Sequence, residues 1–127
     1  MKNKKIILIA RIVLGLVLVV FGLNKFIGFM PMPPMPEAAS SLMEAFGAAG
    51  YIFPMLAIVE IIVGLMLLIN RFVAMALLFL SPLSVNIILF HLALDPAGIG
   101  AGVLVFLLNL YLLLANKDKY DPVLKSQ

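Results

Sequence analysis

Four stretches of this sequence are each long enough to cross a bilayer as a helix, and each is almost free of charge. They cover residues 6–26, 51–69, 72–94 and 97–115. A hydrocarbon core about 30 Å thick takes roughly 20 apolar helical residues to span. With no water inside it, every backbone donor and acceptor must be paired within the segment. The valine and isoleucine runs, which would argue for strands in water, therefore read as helix. Composition closes the soluble alternative. The chain has 127 residues, of which 65% are hydrophobic and 12% charged, more apolar surface than a soluble domain of this size can bury. The expected fold is all-α: an integral membrane four-helix bundle, one domain over 1–127, with a short extracytoplasmic amphipathic helix between spans one and two.

The start of the chain has the outline of a signal peptide, with Lys2, Lys4 and Lys5 ahead of an apolar run. That run, Ile6 to Leu23, is longer than the usual apolar region of such a peptide. Asn24, Lys25 and Phe26 stand where a small-residue cleavage site would follow. The stretch is read as an uncleaved first span. Lysine and arginine placement sets the orientation. Lys2, Lys4 and Lys5 precede span one, Arg71 lies between spans two and three, and Lys117, Lys119 and Lys125 follow span four. The alternate side carries Lys25 with Glu37, Glu44 and Asp95. Both termini are expected in the cytoplasm. Basic residues at span ends are topology signals, so no nucleic-acid partner is expected.

The long connector, whose interfacial segment is residues 31–50, opens with the proline-rich run Met30 to Pro36, which favours a stiff polyproline-like segment. Pro36 and Glu37 suit a helix start, since proline needs no donor there and the acid complements the dipole. Ala38, Leu42, Ala45, Phe46 and Ala49 then recur at helical spacing up to Gly47 and Gly50. An interfacial helix is expected here.

Three spans carry stripes of small and polar residues at steps of three and four. Span one has Arg11, Gly15, Leu18, Gly22 and Lys25. Span two has Phe53, Leu56, Glu60, Gly64, Leu67 and Arg71. Span four has Gly98, Gly102, Val105, Asn109 and Asn116. Small residues let membrane helices approach closely, so these stripes should face other helices. The Gly15/Gly22 and Gly98/Gly102 faces are also expected surfaces for a homo-oligomer. A carboxylate in mid-membrane costs about 3 kcal/mol unless it is paired or protonated. An Arg11–Glu60–Asn109 cluster is therefore expected in the inner half of the bundle. It is either a pin that fixes helix register or a site that handles a proton or ligand.

A second polar set, Asn24, Lys25, Asn86 and His91, falls toward the outer side. His91 and Asp95 stand one turn apart, yet two residues do not make a metal site. None is expected. The absence of cysteine excludes thiol, disulfide, iron–sulfur and zinc–thiolate chemistry.

The order and spacing of several segments resemble the DoxX family of small four-helix bacterial membrane proteins. The segments are Ala10-Arg11-Ile12-Val13-Leu14-Gly15, Phe21-Gly22-Leu23-Asn24-Lys25-Phe26, the proline run, Phe53-Pro54-Met55-Leu56-Ala57-Ile58-Val59-Glu60, and Asn86-Ile87-Ile88-Leu89-Phe90-His91 before Asp95-Pro96. The resemblance implies a bacterial inner-membrane protein associated with quinone-linked redox systems, with no agreed catalytic residues. The expected role is an accessory subunit, not an enzyme on its own, that binds a quinone or lipid through Asn24, Lys25, Asn86 and His91 and has no covalent cofactor. It would work beside a redox partner protein. The alternatives are a small proton-linked transporter using Glu60, or a membrane scaffold.

Overall fold

The computed structural model describes residues 3–27 and 34–124. Helix α1 spans Lys4–Ile27, α2 Glu37–Ala49, α3 Ile52–Leu68, α4 Val73–Leu94, α5 Ile99–Ala115 and the short α6 Asp121–Leu124. Single 3-10 turns at Pro96–Gly98 and Lys117–Tyr120 precede α5 and α6. There is no strand among the described residues, and the all-α membrane bundle is the fold observed.

The helix ends follow local chemistry. The Asn3 side chain accepts from the main-chain N–H groups of Lys5 and Ile6 at 3.0 and 3.2 Å, satisfying two orphan donors at the start of α1. Pro36 sits just before α2, and Gly50 closes that helix in the left-handed conformation at φ 85°. Met30 to Pro33 of the proline run lie outside the described residues, as do Lys2 and Lys125. The α3–α4 turn closes with Asn70 at φ 58°, and its N–H donates to Leu67. Arg71 N–H reaches back to Met66, which is the paired-bond pattern that ends a helix on a left-handed residue. Phe72 also holds a left-handed φ of 56°, which is strained for a bulky side chain.

The core is a single cluster drawn from four helices. Leu14 and Leu18 of α1, Val63 and Leu67 of α3, Ala76, Leu77 and Leu80 of α4, and Val105 and Leu112 of α5 are all buried. Outward faces are just as apolar. Leu16 and Leu23, Ile58 and Ile62, Phe79 and Leu89, and Leu107 and Leu114 are exposed. Helices apolar all round have lipid as their outer solvent. On their own, α1, α4 and the Pro96–Ala115 segment are long and apolar enough to cross a bilayer. The second expected span is shorter: α3 has 17 residues, and α2 meets it at 91° across a short break. α3 nonetheless runs antiparallel beside α1, from the level of Arg11 to that of Lys25. α2 lies over the ends of α3 and α4, held by an edge-to-face contact of Phe46 and Phe53 with centroids 6.2 Å apart. At the other end the Tyr120 hydroxyl donates to the Ala74 carbonyl at 2.9 Å, tying the tail to α4. Burial raises the pKa of this phenol.

Candidate functional site

The tightest seam in the molecule joins α1 to α3, and glycine makes it. A Cβ at Gly15 would stand 2.9 Å from the Gly64 carbonyl oxygen, and one at Gly64 would stand 2.8 Å from the Gly15 carbonyl oxygen. One seam position further along, a Cβ at Gly22 would meet the Ala57 carbonyl at 3.0 Å and Glu60 Cβ at 3.4 Å. The backbones touch directly, which is how small residues gain packing energy in membranes. The stripes on spans one and two thus face each other.

That register decides the partner of Glu60. Glu60 stands beside Gly22, one turn from Lys25 but three turns from Arg11, about 5 Å against about 16 Å along the axis. Lys25 Nζ donates to both carboxylate oxygens, at 2.7 and 3.0 Å. The Glu60 side chain is 9% exposed and that of Lys25 24%. Close two-oxygen contact of this kind offsets part of the cost of taking both charges out of water.

The expected Arg11–Glu60–Asn109 cluster is therefore not one site but three. Nη1 of Arg11 donates to the main-chain carbonyls of Leu67 and Leu68. These carbonyls end α3, where helix geometry leaves acceptors unpaired and the dipole favours a cation. Asn109 turns instead to α4. Its Nδ2 donates to Ser84 Oγ at 3.0 Å and Ser81 Oγ at 3.3 Å. The hydroxyls pass their own protons on to Ser81 O and Leu77 O. Asn109 Oδ1 is buried with no partner in this network. Ser81 and Ser84 were not expected as partners, although their three-residue spacing on α4 could have marked them as one face.

The outer polar set also divides. Lys25 is taken by Glu60 on α3, whereas His91 belongs to the α4–α5 corner. His91 Nδ1 donates to the Asp95 main-chain oxygen at 3.2 Å and lies 3.8 Å from its carboxylate, Asp95 being buried. A Cβ at Gly98 would fall 2.7 Å from the Asp95 carboxylate, and one at Gly102 would fall 3.2 Å from the His91 ring. Asn24 is half-buried on α1, and Asn86 is exposed on α4. Asn24 and Lys25 thus sit on α1 and Asn86 and His91 on α4, with Lys25 held by Glu60 and His91 by Asp95. The Gly15/Gly22 face is covered by α3, and Gly102 by α4.

Chemically, then, the end of the bundle that carries α2 offers at Lys25 a paired cation that keeps some exposure. An ammonium has three N–H donors, and Glu60 takes two bonds from Lys25. The third can be given to a carbonyl or phosphoryl oxygen. Leu23 and Phe26, on either side of Lys25, are exposed and supply an apolar flank. Among the described residues no group of three His, Asp or Glu side chains could hold a metal ion.

No curated protein and no solved structure matches the chain. The family model described as DoxX matches residues 6–92, which takes in the glycine seam, both members of the Lys25–Glu60 pair, and His91. The chain belongs to the DoxX family.

Proposed function

We propose that this DoxX-type membrane protein is an accessory subunit of a membrane redox system. It holds the head of a neutral amphiphile, a quinone foremost, at the Lys25–Glu60 pair. The observation that supports the reading is the pair itself. Glu60 fixes the lysine in one geometry, and Lys25 keeps a donor and a share of its surface toward the lipid. A quinone carbonyl accepts a hydrogen bond from that donor, and Leu23 and Phe26 lie against the chain that follows. The quinone would supply the redox chemistry, while the protein orients its head and excludes water. With no cysteine in the chain, no thiol route competes. Proton transport through Glu60 has less support, because the carboxylate is closed by Lys25 and the Asn109–Ser84 network belongs to a different helix pair.

The test is the quinone content of protein purified in mild detergent, measured by mass spectrometry of organic extracts. Wild type should carry near-stoichiometric quinone and Lys25→Met at least fivefold less, with Asn86→Ala unchanged. Equal quinone in wild type and Lys25→Met, or none in either, would defeat the proposal.

A further inference from the structure

A second polar feature lies at the opposite end of the bundle from the Lys25–Glu60 pair. It is an open groove of about 510 Å³ where the start of α1, the α3–α4 turn and the end of α5 meet. Lys4, Arg11 and Lys119 line it, with Asn70 and Asn116 as further hydrogen-bonding groups. Between and beside these groups its walls are apolar: Ile7, Leu8, Val73 and Leu112. The sequence builds this face simply. Lys4, Ile7, Leu8 and Arg11 follow one another at helical spacing, so one side of α1 carries a cation, an apolar turn, then a second cation. At the end of α5, Leu112 and Ala115 and then the capping Asn116 run from apolar to polar.

We infer that this groove is a site for the phosphate-bearing head of an anionic phospholipid, with the glycerol and upper acyl chain against the apolar walls. Charge complementarity selects the ligand: three cations surround the groove against a single carboxylate, Asp118, which is itself engaged. Arg11 commits only Nη1 to the α3 carbonyls. A guanidinium has five donors in a planar fork, so the rest of the fork is available to phosphate oxygens. Lys4 and Lys119 are exposed and free to close over the head from either side. Basic pockets between membrane helices at the polar–apolar boundary recognise such heads. A free phosphate would satisfy the cations but leave the apolar walls uncovered, so the walls argue for a lipid. The inference stands apart from the quinone proposal, since the two places share no residue.

The experiment counts lipids retained by the purified full-length protein in native mass spectrometry, titrated with dioleoylphosphatidylglycerol or dioleoylphosphatidylcholine. The informative variant is Lys4→Gln with Lys119→Gln, two exposed positions that the fold does not need. Its control is Lys5→Gln with Lys117→Gln, which removes the same charge at the same end without touching the groove. The groove pair should weaken phosphatidylglycerol binding at least fivefold, and the control pair less than twofold. Phosphatidylcholine should bind wild type at least fivefold more weakly than phosphatidylglycerol. Equal losses in the two pairs would reduce the effect to general attraction and overturn the site. So would equal binding of the two lipids, or displacement of phosphatidylglycerol by millimolar inorganic phosphate.

Discussion

Arg11, Gly22 and Lys25 occupy one stripe of α1, so helical phase alone offers Glu60 two cations. The choice between them depends on how far α1 slides along α3, which the Gly15–Gly64 contact fixes. That contact joins residues far apart in the chain, and no local pattern encodes its height. Hence the need of Glu60 for a partner was legible in the sequence, but the identity of the partner was not. Arg11 was misplaced for the same reason: its acceptors are backbone carbonyls of α3, invisible to any reading of side chains. The account predicts a specific coupling. Lys25→Met should destabilise the protein by roughly 3 kcal/mol, the low end for breaking a buried pair, because Lys25 keeps some exposure. Lys25→Met with Glu60→Met should be milder than Lys25→Met alone. Arg11→Met and Glu60→Met should simply add, since the two side chains share no partner. Thermal unfolding in detergent measures both cycles; additivity in the first, or coupling in the second, would return Glu60 to Arg11.

Helix by helix, the glycines carry the assembly, and their environments differ enough to be tested against each other. Gly64 faces backbone, with Gly15 O at 2.8 Å and Val19 N at 3.1 Å from a Cβ placed there. Gly100, near the start of α5, has nothing within 4 Å of such a Cβ. Gly64→Ala must push α1 and α3 apart and should cost about 1–3 kcal/mol. Gly100→Ala meets open space in a helix and should be neutral or stabilising by up to about 1 kcal/mol. Equal effects in melting experiments would mean that the α1–α3 seam is not the close contact described. The stripe pattern showed which faces of α1 and α3 are buried because a period of three to four residues maps directly onto one side of a helix. It did not show that α3 is only 17 residues long with α2 folded across it at 91°. That break comes at Gly50 and Tyr51, where a left-handed glycine ends one helix just before the next begins. The outer polar set divides at this scale too: Lys25 is held from α3, and His91 within the α4–α5 corner.

For the molecule as a whole, the account gives the two ends of the bundle different work. One end carries the Lys25–Glu60 pair, the His91–Asp95 corner and the α2 cover. The other carries the basic groove and the Tyr120 tether. This division, and both binding proposals with it, requires α1, α3, α4 and α5 to cross the membrane in alternate directions. The short α3 is the element on which that requirement is most exposed. The sequence offers a clean way to test it, because it has no cysteine of its own. Single cysteines at Asn3, Arg71, Asp121 and Glu44 can be probed in sealed inverted and right-side-out vesicles with a membrane-impermeant maleimide. Four alternating crossings predict that Asn3→Cys, Arg71→Cys and Asp121→Cys label together from the cytoplasmic face, and Glu44→Cys only from the opposite face. Labelling of Arg71→Cys from the same side as Glu44→Cys would mean that α3 does not cross, and would contradict the account.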